Sequence, residues 1–275
     1  MNYRHAFHAG NFADVMKHAA LVSALEYLKK KDKPFRVIDT HAGRGLYDLS
    51  GREAAKTREA VAGIVKLREA ADVPPALKTY LDLVRGFGDH YPGSPLIAAR
   101  ILRPIDKLTA IEKHPEEYMA LADALRQHAN VRVEDGDGYA RLAAVLPPPE
   151  RRGLVLIDPP YEAENEFALA SAAVAGALRR FATGVYLVWF PIKRRSDADA
   201  LAGELLTAGA TKLLLLTLNI GGDATERLTE SGMLVVNPPY GFDAEMRETL
   251  AFLAKHLAQG EGAGSRVEWL AGGAG

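Results

Sequence analysis

Short runs of Leu and β-branched residues recur along the chain, each followed by an amphipathic stretch. This alternation limits the fold more than any other feature. The runs are residues 35–39, 108–112, 131–135, 154–158, 185–190, 213–218 and 233–237. Several are apolar almost throughout, as strands covered on both faces of a parallel sheet must be. Between them, residues 116–128, 138–145, 166–181, 197–208 and 243–257 carry apolar side chains at helical spacing. The pattern predicts an α/β fold, a doubly wound seven-stranded sheet with ligands bound beyond the carboxyl ends of its strands. After the Gly-rich stretch 260–264, residues 266–270 form a candidate edge strand.

One interval is too long for a single crossover helix. From Asp39 to Leu108 no further strand run appears, whereas most βα connections take a handful of residues. Residues 53–70 and 76–87 have helical patterns separated by Asp72-Val73-Pro74-Pro75. We therefore expect residues 47–94 to form an inserted small helical subdomain. Residues 1–46 and 95–275 would make the main domain, with 1–33 as an N-terminal motif and helix.

Composition narrows the classes further. The chain has no cysteine, which excludes disulfides, thiolate metal sites and cysteine nucleophiles and fits a reducing, cytoplasmic compartment. No apolar run approaches the roughly 18 residues of a membrane helix, and the first residues lack the apolar core of a signal peptide. The net charge of −1 excludes a protein that coats nucleic acid by bulk charge.

Four strand ends carry the chemistry. The first run enters Asp39-Thr40-His41-Ala42-Gly43-Arg44-Gly45, a glycine turn that lets backbone N–H groups approach a nucleotide-like ligand. The second ends in Glu112, which could accept from a ribose diol. The third leads to Asp137-Gly138, read equally well as an amine acceptor or as a helix N-cap. The fourth ends in Asp158-Pro159-Pro160-Tyr161. Two prolines stop the ladder and fix a turn that presents a carboxylate, free carbonyls and an aromatic face. Acceptors from Asp158 and the Pro159 carbonyl can draw electron density onto a conjugated amine, and Tyr161 can stack on a base turned out of its helix. Asn237-Pro238-Pro239-Tyr240 has the same form. It follows the seventh run with no compact glycine turn downstream, so it is assigned to a structural turn.

The order of these motifs resembles that of S-adenosylmethionine-dependent amino-methyltransferases. Tyr3-Arg4-His5-Ala6-Phe7-His8-Ala9-Gly10-Asn11 with Asp14 and Lys17-His18, and Tyr91-Pro92-Gly93-Ser94-Pro95, narrow the likeness. It becomes a resemblance, over essentially the whole chain, to the bacterial 23S ribosomal RNA adenine-N6 methyltransferases of the RlmJ type. The resemblance implies a Rossmann-like class I methyltransferase with an inserted helical subdomain, acting alone, as a monomer, on one adenine of 23S RNA. It implies S-adenosylmethionine at His18, His41, Gly43, Ser94, Glu112, Asp137, Gly138 and Asp158, and no metal. Asp158 would be the proton acceptor, and Tyr3 with Arg4 would touch the RNA.

Residues 1–36 hold seven Lys or Arg against three acids, and Lys193-Arg194-Arg195 follows the fifth run at the catalytic edge. Such clusters supply the phosphate contacts an RNA needs. Three other readings were weighed. A DNA adenine or protein glutamine methyltransferase shares the motif, though the glutamine enzymes usually carry Asn where Asp158 stands. A dinucleotide oxidoreductase would need a third glycine where Asp48 stands. A non-catalytic RNA-binding module leaves Asp158–Tyr161 without purpose.

Overall fold

The computed structural model describes residues 4–223 and 227–273. Helix α1 (Phe12–Lys29) opens the fold, with the Asn11 side chain accepting from Asp14 N at its start. Nearly every α1 side chain is buried, so it is a core helix and not a surface one. The sheet begins with β1 (Arg36–Asp39), which pairs in parallel with β4 (Lys107–Glu112) on one side and β6 (Gly153–Ile157) on the other. Beyond β4 lies β5 (Val131–Asp135), and beyond β6 lies β7 (Val185–Pro191), both parallel.

The far half is antiparallel. Strand β9 (Glu230–Val236) lies between β7 and β8 (Leu213–Asn219) and runs against both. The candidate edge strand forms as β10 (Gly264–Ala271), antiparallel to β8. The sheet therefore has eight strands, which corrects the expected seven. Ser265 and Val267 continue the ladder because β8 would otherwise expose an unpaired edge.

Helices cover both faces. Val37, Leu154, Leu156 and Leu187 face α1, α4 (Ser94–Ile101), α5 (Pro115–Leu125) and α9 (Phe242–Leu257). Ile38, Val155, Ile157 and Val188 face α6 (Gly138–Val145), α7 (Glu166–Arg180) and α8 (Arg195–Thr207). Side chains alternate across a strand, so each of these strands must be apolar on both faces. No helix among the described residues is long and apolar enough to cross a membrane.

The long interval leaves and rejoins the sheet at one point. Strands β2 (Leu46–Asp48) and β3 (His90–Pro92) pair antiparallel, and Gly93 N donates to Gly45 O at 2.7 Å. Between them lie α2 (Arg52–Thr57) and α3 (Pro75–Arg85). Ile64, Leu67, Leu77, Tyr80 and Val84 join the same apolar cluster as α1, so the segment shares the core of the main sheet. The helix expected over 53–70 is broken instead. It stops at Arg58 in the left-handed region and resumes as a π-helical turn at Val61–Val65, with Gly63 outside helical geometry. The reason is contact. Ile64 N donates to Gly10 O at 2.8 Å, and a Cβ on Gly63 would lie 2.2 Å from that oxygen.

Candidate functional site

The parallel strands end at one edge, and there a cavity of about 970 Å³ opens. His18, His41, Gly43, Ser94, Glu112, Asp137, Gly138 and Asp158 all line it, as do Pro159 and Tyr161. The loop after β1 turns through Gly43 (φ 60°) and Gly45 (φ 80°), conformations that suit glycine. Glu112 braces this turn, accepting from Gly43 N at 2.8 Å and from His114 N at 2.7 Å. Arg44 between the glycines is bound bidentately by Glu117 at 2.9 and 2.6 Å and does not line the cavity.

Asp137 is the N-cap of α6, one of its two readings. Its Oδ1 caps α6 through Tyr139 N and Ala140 N, and its Oδ2 accepts from Lys113 at 3.0 Å on the cavity wall. Gly138 is required where it stands, because a Cβ there would lie 2.0 Å from Thr40 O in the first turn. His41 bonds Thr40 Oγ1 at 2.8 Å and sits edge-on to Tyr139; burial lowers its pKa to about 4.

Helix α1 forms the opposite wall, with Asp14, Lys17 and His18 all buried. Lys17 Nζ donates to Asp14 Oδ1 at 2.8 Å and to Asp158 Oδ2. Burial opposes the charge on Lys17, but the two carboxylates outweigh it and raise its pKa. Burial likewise opposes the charge on Asp14, yet His5 and Lys17 hold its pKa well below the usual range. On His18 burial outweighs the attraction of Asp14 and pushes the pKa down to about 3. Its Nδ1 lies 2.7 Å from the Tyr91 hydroxyl, which lies 2.9 Å from that of Tyr80. The Ser94 hydroxyl donates to Asp39 Oδ2 at 2.6 Å, and burial raises the Asp39 pKa to about 7.

At the end of β6, Asp158 enters the cavity. Its Oδ2 is taken by Lys17, and Oδ1 has no partner among the described residues. Tyr161 adopts φ 50°, donates its hydroxyl to Trp189 O at 2.8 Å and packs on Phe167 at 4.6 Å between centroids. The ring is thus held as part of the wall. The second motif lies elsewhere. Strand β9 runs against β7, with Val236 opposite Tyr186, so Asn237 emerges at the amino ends of the parallel strands. There it donates to Ala182 O and Gly184 O at 2.8 Å, and Tyr240 is 89% exposed.

The remaining expected residues fall out differently. Tyr3 lies outside the described residues. Arg4 is exposed and 3.5 Å from Glu116, so its charge is shared with an acid. Sequence reasoning assigned no role to Asp14, Lys17, Trp189 or His114, all of which line the cavity. Asp14, Lys17 and His18 carried a signal, being spaced to share a side of a helix that is otherwise apolar from Phe12 to Val22.

Two buried polar atoms at this edge lack hydrogen-bond partners among the described residues, Asp39 Oδ1 and His114 Nδ1. Unsatisfied groups of this kind are costly in a folded chain unless a ligand or water completes them. The cavity thus combines the imidazoles of His18 and His41, held neutral by burial, with the carboxylates of Glu112, Asp137 and Asp158, a lining suited to a polar ligand.

A family model described as "RsmJ: Ribosomal RNA large subunit methyltransferase D, RlmJ" matches residues 32–271. "Ribosomal RNA large subunit methyltransferase J" of Escherichia coli (strain K12) is 40% identical over 98% of this chain and 99% of its own. The protein of the same name from Haemophilus influenzae is 41% identical with the same coverage. A crystal structure of a Legionella pneumophila protein superposes with a TM-score of 0.88 at 34% identity, covering 96% of this chain and 98% of that one. The family model spans most of the chain and both relatives align over nearly their whole length, so the chain belongs to the RlmJ family of large-subunit ribosomal RNA methyltransferases.

Proposed function

We propose that the protein transfers a methyl group from S-adenosylmethionine to the exocyclic N6 amine of one adenine in 23S ribosomal RNA, working as a cytoplasmic monomer. The observation that carries this reading is Asp158. It stands at the end of a buried central strand, in one cavity with the glycine turn, and one of its two carboxylate oxygens is open. His114 Nδ1, buried on the cavity wall without a hydrogen-bond partner among the described residues, supports the fit of a polar cofactor at this edge. When bound, S-adenosylmethionine supplies an electrophilic methyl group on a sulfonium sulfur.

The chain's residues do the rest. His18, His41, Gly43, Ser94, Glu112, Asp137 and Gly138 hold the cofactor, and no metal is needed. Lys17 fixes the Asp158 carboxylate through Oδ2, which leaves Oδ1 to accept a proton of the target amine. The Pro159 carbonyl takes the second amine hydrogen, since proline ends the ladder there and frees the acceptor. Together these acceptors localise the nitrogen lone pair for attack. The proton released on methylation passes to Asp158. Tyr161 and Trp189 make an aromatic wall for the unstacked base. Residues 47–94 serve as an insertion that supports this wall from behind α1.

Asp158→Ala tests the assignment. It should retain S-adenosylmethionine binding in a calorimeter with chelator present, while turnover on 23S RNA falls on the order of a hundredfold or more. Asn237→Ala should stay active. An active Asp158→Ala beside a folded, inactive Asn237→Ala would reverse the roles of the two motifs.

A further inference from the structure

A second concavity, of about 280 Å³, opens beside the first. The two are back to back. Lys193 lines both, and at three more points the chain crosses the shared wall between neighbouring residues. Pro191 faces the first and Ile192 the second; Ile220 and Gly221 divide in the same way, as do Leu228 and Thr229. The lining of the second concavity is polar and two-sided. Asn219 Oδ1 accepts from Gly221 N at 2.7 Å, and its amide donates to Glu230 Oε2 at 3.4 Å, a long bond. One amide hydrogen of Asn219 and most of the acceptor capacity of Glu230 are therefore free. Glu261 and Asp199 add two more carboxylates, and Lys193 and Arg266 stand there with no carboxylate partner among the described residues.

We propose that this concavity takes the base of a nucleotide adjoining the target adenine, with the linking phosphate held at Lys193. The inference rests on the RNA reading of the main cavity. An enzyme that turns one base out of its stack also disturbs the next, and a displaced base needs new partners on its polar edge. The volume falls just short of the usual small-ligand range, so it suits one base and not a longer segment. Glu230 and Glu261 repel phosphate from the interior, which keeps the backbone at the rim. They accept from exocyclic amines, so the site favours adenine, cytosine or guanine over uracil.

A two-way comparison tests this. A short RNA hairpin carrying the target adenine is prepared with an abasic residue, or uridine, at each adjoining position in turn. Methylation is measured with the parent, Asn219→Ala and Glu261→Gln, and S-adenosylmethionine binding is measured alongside and should be unchanged. At one flank the abasic residue should lower the parent's kcat/KM about tenfold. The same RNA change should cost Asn219→Ala clearly less than it costs the parent, because one of the base's partners is already gone. Glu261→Gln, on an exposed loop, should narrow the gap between cytidine and uridine there. A parent active on RNA but indifferent to both flanks overturns this inference alone, as does an abasic penalty equal in parent and variants. A parent that binds the cofactor yet methylates no RNA overturns the RNA reading and this inference with it.

Discussion

His18 owes its chemistry to two phenols that lie far from it in sequence. The imidazole is buried and neutral, and the Tyr91 hydroxyl is its Nδ1 partner. A phenol is a better donor than a neutral imidazole N–H. Tyr91 should therefore donate to Nδ1 and leave the ring proton on Nε2. Burial raises the pKa of both Tyr80 and Tyr91, so the phenols keep their protons. Nitrogen NMR should report the Nε2–H tautomer for His18. Tyr91→Phe leaves Nδ1 buried without a partner, and we expect S-adenosylmethionine binding to weaken about tenfold, the cost of one unsatisfied buried group. RNA binding should not change. An unchanged tautomer and unchanged cofactor affinity in Tyr91→Phe would show that the chain of phenols is only packing. Lys17 makes the same point with charge: between Asp14 and Asp158 it remains an ammonium despite burial, which an isolated buried lysine would not.

Among the elements, direction matters as much as existence. The Asn237 motif has the right residues on the wrong strand, because β9 runs against β7 and delivers its last residues to the opposite edge. The broken helix in the insertion is equally specific. Gly63 is pressed against Gly10, whose carbonyl accepts from Ile64 N, while Thr57 Oγ1 donates to Phe7 O at 2.5 Å and Glu59 binds His8 and Asn11. The N-terminal segment and the insertion thus hold each other in place along the cavity. Gly63→Ala forces a Cβ into the Gly10 carbonyl and should destabilise the protein by about 1–3 kcal/mol. Limited proteolysis should cut first within residues 5–11. If Gly63→Ala melts with the parent and resists protease equally, the contact does not hold the two segments together. Helix α4 has Gly93 at its N-cap, and Ser94, its first residue, spends its hydroxyl on Asp39.

For the molecule as a whole, the buried histidines set the response to acid. Unfolded, His18 and His41 titrate near 6.5, but in the fold their pKa values fall to about 3 and about 4. As pH drops below 6.5 the unfolded chain gains two protons that the folded chain refuses, and stability falls. Asp39 acts oppositely: raised from 3.8 to about 7, it binds a proton in the fold that the unfolded chain does not hold until lower pH. Among these three groups the balance grows toward one proton as pH falls from 6.5, so their share of the slope should steepen to about 1.4 kcal/mol per pH unit near pH 5. His8, raised by its bond to Glu59, works in the same direction as Asp39. Denaturant unfolding across the range checks the slope. His18→Gln should flatten it and Asp39→Asn should steepen it; a parent slope of zero or opposite sign would refute the assignment of these buried groups.

The primary structure alone determined the layered α/β fold, the glycine turn and the arrival of Asp158, rather than Asn237, at the edge of that turn. Strand runs apolar on both faces and two prolines after a strand are local properties, and local properties are written in consecutive residues. The eighth strand was only a candidate, since an edge strand is half exposed and its pattern is weak. What the tertiary structure alone decided are the contacts across long sequence separation: Lys17 with Asp158, His18 with Tyr91 and Tyr80, Gly63 with Gly10, and Lys193 shared between two cavities. None of these residues is unusual in its own neighbourhood. Their roles arise because burial removes water, and a polar group deprived of water takes its properties from whichever distant partner the fold brings within reach.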